Sequence, residues 1–229
     1  MEPATSRRSL LRLLTAGGAV AAVPLAAGCD GRSRNVIGAS ASDGGSAVGA
    51  DTVMIIRHGE KPAAKGAPFG VTEDGQQNDG SLTVRGWQRA GALVDLFAPQ
   101  KGSLRAGLVR PATIYAAQPN GDKGLRHSET ITPLAARLGL QPKLSYGKGD
   151  EAALGKKLAS AHGTVLVCWE HSAIPDIVAA MGAVHPKPPA KWAGKRFDVV
   201  WVFTRDGKGW RFSQVPQLVL PGDVNSPIA

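Results

Sequence analysis

Cysteine and aromatic residues are scarce in this chain of 229 residues, which has two cysteines, five tryptophans, five phenylalanines and two tyrosines. Two cysteines, Cys29 and Cys168, are too few for the disulfide framework of a small secreted domain. All of the aromatic residues lie after residue 50, and Ala, Gly and Ser dominate the first fifty positions. We therefore expect a single domain in residues 51–229, where the side chains that can fill a core are concentrated.

The sequence also lacks long apolar runs. The uncharged stretch from Leu13 to Cys29 is interrupted by glycines and a proline, and it falls short of the about 20 apolar residues of a membrane span. Arg7 and Arg8 precede it and small residues end it, which is the organisation of a secretory signal peptide over residues 1–29. The arginine pair resembles a twin-arginine (Tat) signal. An ordinary secretory signal with incidental arginines is the alternative.

The segment that ends at Cys29, Ala26-Ala27-Gly28-Cys29, resembles a bacterial lipobox, in which the cysteine becomes the lipidated first residue. Ala26 occupies the position where leucine is usual, so cleavage at a plain small-residue site is the alternative. Residues 30–50, rich in Ser, Gly and Ala, are expected to form a flexible linker. These patterns predict an exported protein, either a lipoprotein on the outer face of the cytoplasmic membrane or a secreted or periplasmic protein.

Strand and helix patterns alternate in residues 51–229. Apolar runs predict strands at Val53–Ile56, Ala112–Ala116 and Thr164–Trp169, because such runs are typical of strands covered on both faces. Cys168 lies in the last run and is expected to be a buried, inert thiol. Helical spacing predicts helices over residues 82–97, 126–138 and 151–160. A further helix is predicted to begin after Ser172, which can cap it.

The alternation of side chains after Phe197 and the turn at Asp206-Gly207 predict a C-terminal β-hairpin at one edge of the sheet. The fold class is therefore α/β, a three-layer α/β/α sandwich with a mainly parallel central sheet.

Charged and imidazole side chains follow the predicted strands. Arg57 and His58 come after the first, Arg126 follows the loop after the second, and Glu170 and His171 come after the third. The carboxyl ends of parallel strands meet at one edge of the sheet, where ligands bind. Arginines hold phosphoryl oxygens with charge-assisted hydrogen bonds, and a neutral imidazole can attack phosphorus. The pattern therefore predicts a site for a phosphoryl group.

Four separated motifs carry a resemblance to a known family. They are Arg57-His58-Gly59, Leu82-Thr83-x-x-Gly86-x-x-Arg89-Ala90, Arg126-His127-Ser128-Glu129-Thr130 and His171 at a strand end. In this order and spacing they resemble branch 1 of the histidine phosphatase superfamily, the group that includes the cofactor-dependent phosphoglycerate mutases. The resemblance covers most of residues 51–182, and the chain looks like a small bacterial exported member.

The resemblance implies a mechanism. His58 would attack phosphorus and form a phosphohistidine that water then hydrolyses, while Arg57, Arg126 and His171 would bind the phosphoryl oxygens and stabilise the transition state. Gly59 would let the backbone turn tightly and approach the phosphate. The scheme implies a metal-independent phosphoric monoester hydrolase without a cofactor, and the sequence has no HExxH motif or Cys/His metal-ligand spacing.

The general acid that protonates the leaving alkoxide is harder to assign, because the sequence departs from the mutase pattern there. Three carboxylates compete. Glu151 is preferred, because it begins a predicted helix at an interval after Arg126 similar to that of the mutase acid. Glu170 is the second choice, since strand alternation would point its side chain away from that of His171. Glu60 is expected to hydrogen-bond within its own turn.

The chain carries a formal net charge of +9. The basic residues are dispersed, which is not the pattern of a nucleic-acid-binding surface. The expected partner is a small phosphorylated anionic substrate, with membrane contact only through a lipid on Cys29. A phosphomutase of the same superfamily and a non-catalytic phosphate-binding envelope lipoprotein are the alternatives. His127, expected to face solvent, is assigned no role, and neither are His162 and His185.

Overall fold

The computed structural model describes residues 50–229. The predicted signal peptide, the lipidation at Cys29 and almost all of the predicted linker lie outside the described residues. The elements are, in chain order, β1 (Thr52–Arg57), α1 (Val84–Phe97), β2 (Thr113–Ala116), α2 (Arg126–Leu138), α3 (Glu151–Ala159), β3 (Thr164–Trp169), α4 (Ile174–Ala180), β4 (Val184–His185), β5 (Val199–Asp206) and β6 (Gly209–Pro216). Among the described helices, none is both long enough and apolar enough to cross a bilayer.

The strands form one sheet in the order β2-β3-β1-β5-β6-β4. β1 and β2 both pair in parallel with β3, whereas β5 is antiparallel to β1 and to β6. The sheet is therefore mixed, and the prediction of a mainly parallel sheet was wrong in this detail. The hairpin of β5 and β6 also lies inside the sheet, not at its edge. The apolar character of β5 explains this interior position. Val199 to Phe203 are all buried, so both faces of the strand pack against other parts of the protein.

Helices cover both faces of the sheet, as the three-layer prediction requires. One core contains Met54 and Ile56 of β1 with apolar residues of α1 and α2. The other contains Val53 and Ile55 with apolar residues of α3 and α4. Successive side chains of a strand point to opposite faces, so β1 contributes to both cores. Each fully buried aliphatic side chain contributes about 1.5–3 kcal/mol to folding. The predicted three-layer α/β arrangement is confirmed.

The helix boundaries follow local rules. Thr83 precedes α1, and its hydroxyl accepts a hydrogen bond from the amide of Gly86 at 3.2 Å, which satisfies one of the free amides of the first turn. Gly139 ends α2 with a left-handed backbone (φ 65°), a conformation that costs glycine little.

Cys168 in β3 is fully buried, and burial raises the pKa of its thiol. It is therefore the inert thiol that its apolar run predicted.

Candidate active site

The ends of β1 and β3 bring the predicted residues together. Arg57 is aligned with Trp169 in the parallel register, and the amide of His58 donates to the carbonyl of Trp169 at 3.2 Å. The residues that follow, His58 after β1 and Glu170 after β3, are therefore neighbours. His58 Nε2 lies 3.6 Å from Glu170 Oε2. The site lies where the topology of an α/β sheet predicts a ligand.

His58 is fully buried, and its ring is fixed in one tautomer. Nδ1 lies 2.7 Å from the carbonyl oxygen of Gly59. A carbonyl can only accept, so Nδ1 carries the proton and Nε2 carries the lone pair. Burial lowers the pKa of His58, which favours the neutral ring. Nε2 has no hydrogen-bond partner among residues 50–229. The geometry presents an uncharged imidazole nitrogen whose lone pair is free to react.

Arg57 is held from the opposite side by the loop before β5. Its Nη1 donates to the carbonyls of Gly194 at 2.6 Å and Arg196 at 3.3 Å, and its guanidinium stacks over the Phe197 ring at 3.7 Å. Burial lowers the pKa of Arg57 to about 10, so the side chain is still a cation at neutral pH. Its Nε is buried and finds no acceptor in the described part of the chain. A buried donor of this kind suits an anion.

Arg126 is the first residue of α2. Its Nη1 donates to the carbonyl of Asp79 at 3.0 Å, and its buried Nε has no acceptor within residues 50–229. The amino end of a helix carries a partial positive charge, which adds to that of the guanidinium. Arg126 also lowers the pKa of Arg57, because the two cations repel each other across the site. An anion placed between them would relieve this repulsion.

Glu170 connects the two predicted histidines. β3 ends at Trp169, so strand alternation does not apply to Glu170 and His171, and their side chains meet. Glu170 Oε1 accepts a hydrogen bond from Nδ1 of His171, while Oε2 faces His58. The hydrogen bond from His171 is among the contacts that hold the pKa of Glu170 below its ordinary range. The carboxylate is thus the direct neighbour of the candidate nucleophile.

The other two candidate acids are engaged elsewhere. Glu151 begins α3 as predicted, but its two oxygens accept hydrogen bonds from Trp169 Nε1 at 3.1 Å and from the amide of Gly149 at 3.0 Å. Glu60 accepts from the guanidinium of Arg89, at 2.8 Å in the shortest contact. These bonds join the loops around the site. Of the three carboxylates that sequence reasoning proposed, Glu170 is the one that contacts His58.

Arg89, quoted in the sequence only as part of a motif, holds the loop after His58 in place. Its side chain is 2% exposed and forms ion pairs with Glu60 and Asp223, both with a contact of 2.8 Å. It also donates to Gln217 Oε1 at 2.8 Å. One guanidinium therefore joins the loop after β1, helix α1 and the C-terminal segment. The pairing of a buried Arg with two distant acids has no signal in the sequence.

Gly59 is needed for close packing against helix α1. A Cβ at Gly59 would lie 3.0 Å from the carbonyl oxygen of Gly86, and a Cβ at Gly86 would lie 2.6 Å from that of Glu60. The loop and the helix therefore approach each other through two glycines. Thr130 completes this support, because its hydroxyl accepts from the amide of Gly59 at 2.8 Å. The predicted role of Gly59 in approaching a phosphate is untested, and this packing is a separate requirement.

His127 was predicted to face solvent, and this was wrong. The side chain is buried and its ring lies 5.1 Å from the His58 ring, nearly perpendicular to it. Nδ1 lies 3.0 Å from the carbonyl oxygen of Gly124, and burial lowers the pKa of His127 to about 4. The position at the start of α2, beside Arg126, turns the ring inward towards β1. His127 therefore belongs to the site as a neutral ring.

A cavity of about 690 Å³ opens beside these residues. Arg126, His127 and Glu170 line it together with Lys123 and Lys148. The loop from Gln118 to Gly124, which follows β2, forms one wall. Lys148 lies in a short turn between two glycines, and no motif marks it as a site residue. The cationic lining favours an anionic ligand.

Comparison with known proteins gives similarity to solved structures at low sequence identity. No family model and no curated protein matches the chain. The protein histidine phosphatase SixA complexed with tungstate is 18% identical, covers 72% of this chain and 97% of its own, and gives a TM-score of 0.48. The ecdysone phosphate phosphatase from Bombix mori in complex with tungstate is 15% identical, with coverages of 78% and 96% and a TM-score of 0.45. Both of these proteins are described as phosphatases.

Gly86→Ala tests the close approach of the loop to α1. The added Cβ must displace the carbonyl of Glu60, so we expect a loss of about 1–3 kcal/mol in the free energy of unfolding. Gly91→Ala, in the same helix, is the matched control, because nothing lies within 4 Å of its Cβ position. Replacing a helical glycine by alanine there should stabilise the protein by up to about 1 kcal/mol. Urea unfolding measures both. Equal effects of the two variants would contradict the packing argument.

Arg89→Met tests the buried ion-pair network. Removing the guanidinium leaves the buried carboxylate of Asp223 without a cationic partner and leaves Glu60 only its pair with the exposed Arg85. We expect a loss of about 3–5 kcal/mol in unfolding free energy. Arg211→Met removes an exposed pair with Asp206 and should change it by less than about 1 kcal/mol. Urea unfolding of both variants distinguishes the buried network from the surface pair. Arg89→Met as mild as Arg211→Met would contradict the role given to Arg89.

Proposed function

We propose that this protein is a histidine phosphatase that hydrolyses phosphomonoesters through a covalent phosphohistidine at His58. The observation that carries the proposal is the ring of His58, which is buried and neutral and directs the lone pair of Nε2 into the site. The unpaired Nε donors of Arg57 and Arg126 supply the electrostatic complement to a phosphoryl group.

Binding of the substrate dianion relieves the repulsion between the two arginines. Their free N–H groups donate to the phosphoryl oxygens and to the charge that builds in the transition state. Burial lowers the pKa of His171, and the contact with Glu170 raises it. A bound phosphate dianion raises it further, so that the ring takes up a second proton as substrate binds. The Nε2–H of that ring is then a further donor to the phosphoryl group. Arg57, Arg126 and His171 thus keep the roles that the family resemblance implies.

In the first chemical step, the lone pair of His58 Nε2 forms a bond to phosphorus and the bond from phosphorus to the leaving oxygen breaks. The leaving oxygen takes a proton from Glu170. A bound phosphate dianion raises the pKa of a neighbouring carboxyl group, so Glu170 takes up its proton as substrate binds. In the second step, Glu170 accepts a proton from water, the hydroxide oxygen bonds to phosphorus, and the P–N bond breaks to return neutral His58.

The scheme uses side chains of the chain alone and therefore describes a metal-independent enzyme. The cationic wall of Lys123 and Lys148 favours small phosphorylated anions as substrates. The signal-peptide pattern of residues 1–29 supports export, with the enzyme acting outside the cytoplasm. The lipobox-like segment supports anchoring through Cys29.

His58→Ala tests the nucleophile. With an aryl phosphate as substrate, we expect kcat/KM to fall at least about a thousandfold, since no other group replaces the attacking nitrogen. The exposed His162, which pairs with Asp51, provides the control: His162→Ala should keep the wild-type rate. Circular dichroism establishes that both variants are folded. A folded His58→Ala variant with wild-type turnover would exclude the proposal, and a wild-type protein that binds phosphate without turnover would identify a binding protein instead.

Glu170→Gln tests the general acid. A good leaving group such as a nitrophenolate needs no proton, whereas an alkoxide does, so kcat for an alkyl phosphate should fall about 10²–10⁴-fold and kcat for nitrophenyl phosphate much less. Glu151→Gln provides the matched comparison, because it alters hydrogen bonds to Trp169 and Gly149. We expect it to leave the ratio between the two substrates unchanged. The reverse result would assign the acid to Glu151, the first choice from the sequence.

A further inference from the structure

Three electron-pair donors converge beside the proposed nucleophile. One possible ligand atom from each of His58, His127 and Glu170 lies within 4.8 Å of the other two. The two imidazoles are buried, and the carboxylate is partly exposed at the edge of the cavity. The phosphatase scheme uses His58 and Glu170 but gives His127 nothing to do. Its buried, inward-facing ring therefore needs a separate account.

Backbone carbonyls orient both histidine rings in the same way. The Nδ1–H of His58 donates to Gly59 and that of His127 to Gly124, at 2.7 and 3.0 Å. Each Nε2 therefore carries a lone pair, and each is buried without a hydrogen-bond partner in the part of the chain that the structure describes. Histidines that ligate metals are commonly oriented by such a bond from the other ring nitrogen.

A phosphoryl group is a poor partner for the third donor. The oxygens of a phosphate dianion accept hydrogen bonds, and the neutral ring of His127 has no proton on Nε2 to offer them. A metal ion is a Lewis acid and binds lone pairs, so the unprotonated Nε2 of His127 suits a metal ion. Two imidazole nitrogens and one carboxylate oxygen suit Zn²⁺ and similar divalent transition metals, whereas Mg²⁺ and Ca²⁺ prefer sets of oxygen ligands.

We propose that His58, His127 and Glu170 form a binding site for a divalent transition metal ion that reversibly inhibits the enzyme. Tetrahedral ligands at about 2.0–2.1 Å from zinc lie about 3.4 Å apart. The 3.6 Å between His58 Nε2 and Glu170 Oε2 already meets this spacing, and a small inward movement of His127 completes the set. Glu170 is held for this role by its second oxygen, which accepts from His171.

The position of the site determines its effect. The ion takes the lone pair of His58 Nε2, which is the pair that attacks phosphorus, so bound metal and phosphohistidine exclude each other. Arg57 and Arg126 lie close enough to repel a cation, which limits the affinity. Competition with the phosphohistidine and repulsion by the two arginines are properties of an inhibitory site that fills when metal is abundant. They are not properties of a site for a resident cofactor.

Cobalt provides a direct test, because Co²⁺ bound to a site with few ligands gives intense visible d–d absorption. Full-length protein, stripped of metal with a chelator, is titrated with Co²⁺ and then with Zn²⁺ as competitor. We expect one equivalent of Co²⁺ to bind with such a spectrum and Zn²⁺ to displace it. His127→Ala and Glu170→Gln should each weaken binding at least about tenfold, and His185→Ala, at an exposed position, should not change it.

The outcomes separate this proposal from the proposed function, because the spectrum does not depend on turnover. If Co²⁺ gives no such spectrum, or if folded His127→Ala and Glu170→Gln both bind as the wild type does, the metal site is wrong whatever the enzyme hydrolyses. Zn²⁺ that inhibits the wild type and loses at least about tenfold in potency against His127→Ala supports the inhibitory role. Equal potency against both proteins contradicts it. Circular dichroism of each variant checks that the fold is intact.

Discussion

The hydrogen bond from His58 Nδ1–H to the carbonyl of Gly59 is the interaction on which the site depends. It decides which ring nitrogen carries the lone pair, and burial keeps that ring neutral. Without this bond the ring could rotate or change tautomer, and the same side chain would present a proton where the mechanism needs an electron pair. Both proposals, the phosphohistidine and the metal site, use the same free Nε2. The carbonyl of Gly59 therefore supports both phosphoryl transfer to Nε2 and metal binding by Nε2.

Much of the surrounding structure keeps that carbonyl in place. The hydroxyl of Thr130 accepts from the amide of Gly59. Helix α1 approaches the loop through Gly86, where a Cβ would lie only 2.6 Å from the carbonyl oxygen of Glu60. Arg89 holds the next residue, Glu60, through a buried ion pair that also reaches Asp223. The motif over residues 82–90 thus supports the loop after β1. Residues far apart in sequence share one task, the positioning of a single loop.

The sequence predicted the architecture well where a local pattern carries the information. Apolar runs located the first three long strands, and the capping residue Thr83 and the terminating Gly139 located helix ends. The position of β5 within the sheet was missed, although the apolar residues on both faces of that strand indicate it. The convergence of Arg57, His58, Arg126 and His171 followed from strand order, because parallel strands bring their carboxyl ends to one edge.

Contacts between distant segments could not be predicted from local sequence patterns. The pairing of Arg89 with Asp223 and the inward rotation of His127 depend on how distant segments pack, and no spacing rule reports this. Glu170 was ranked second because the strand was assumed to continue past Trp169. The strand ends there, and the Glu170 side chain meets both His58 and His171. Errors of one residue at an element's end matter most at a site, because sites lie at those ends.

Whether His58 reacts through Nε2 is tested by identifying the atom that becomes phosphorylated. The phosphoenzyme is trapped from a phosphodonor, and ¹⁵N and ³¹P nuclear magnetic resonance of the labelled protein shows which nitrogen carries phosphorus. We expect a single phosphohistidine, at His58 and on Nε2, with Nδ1 still protonated. Phosphorus on Nδ1, or on a residue other than His58, would contradict it.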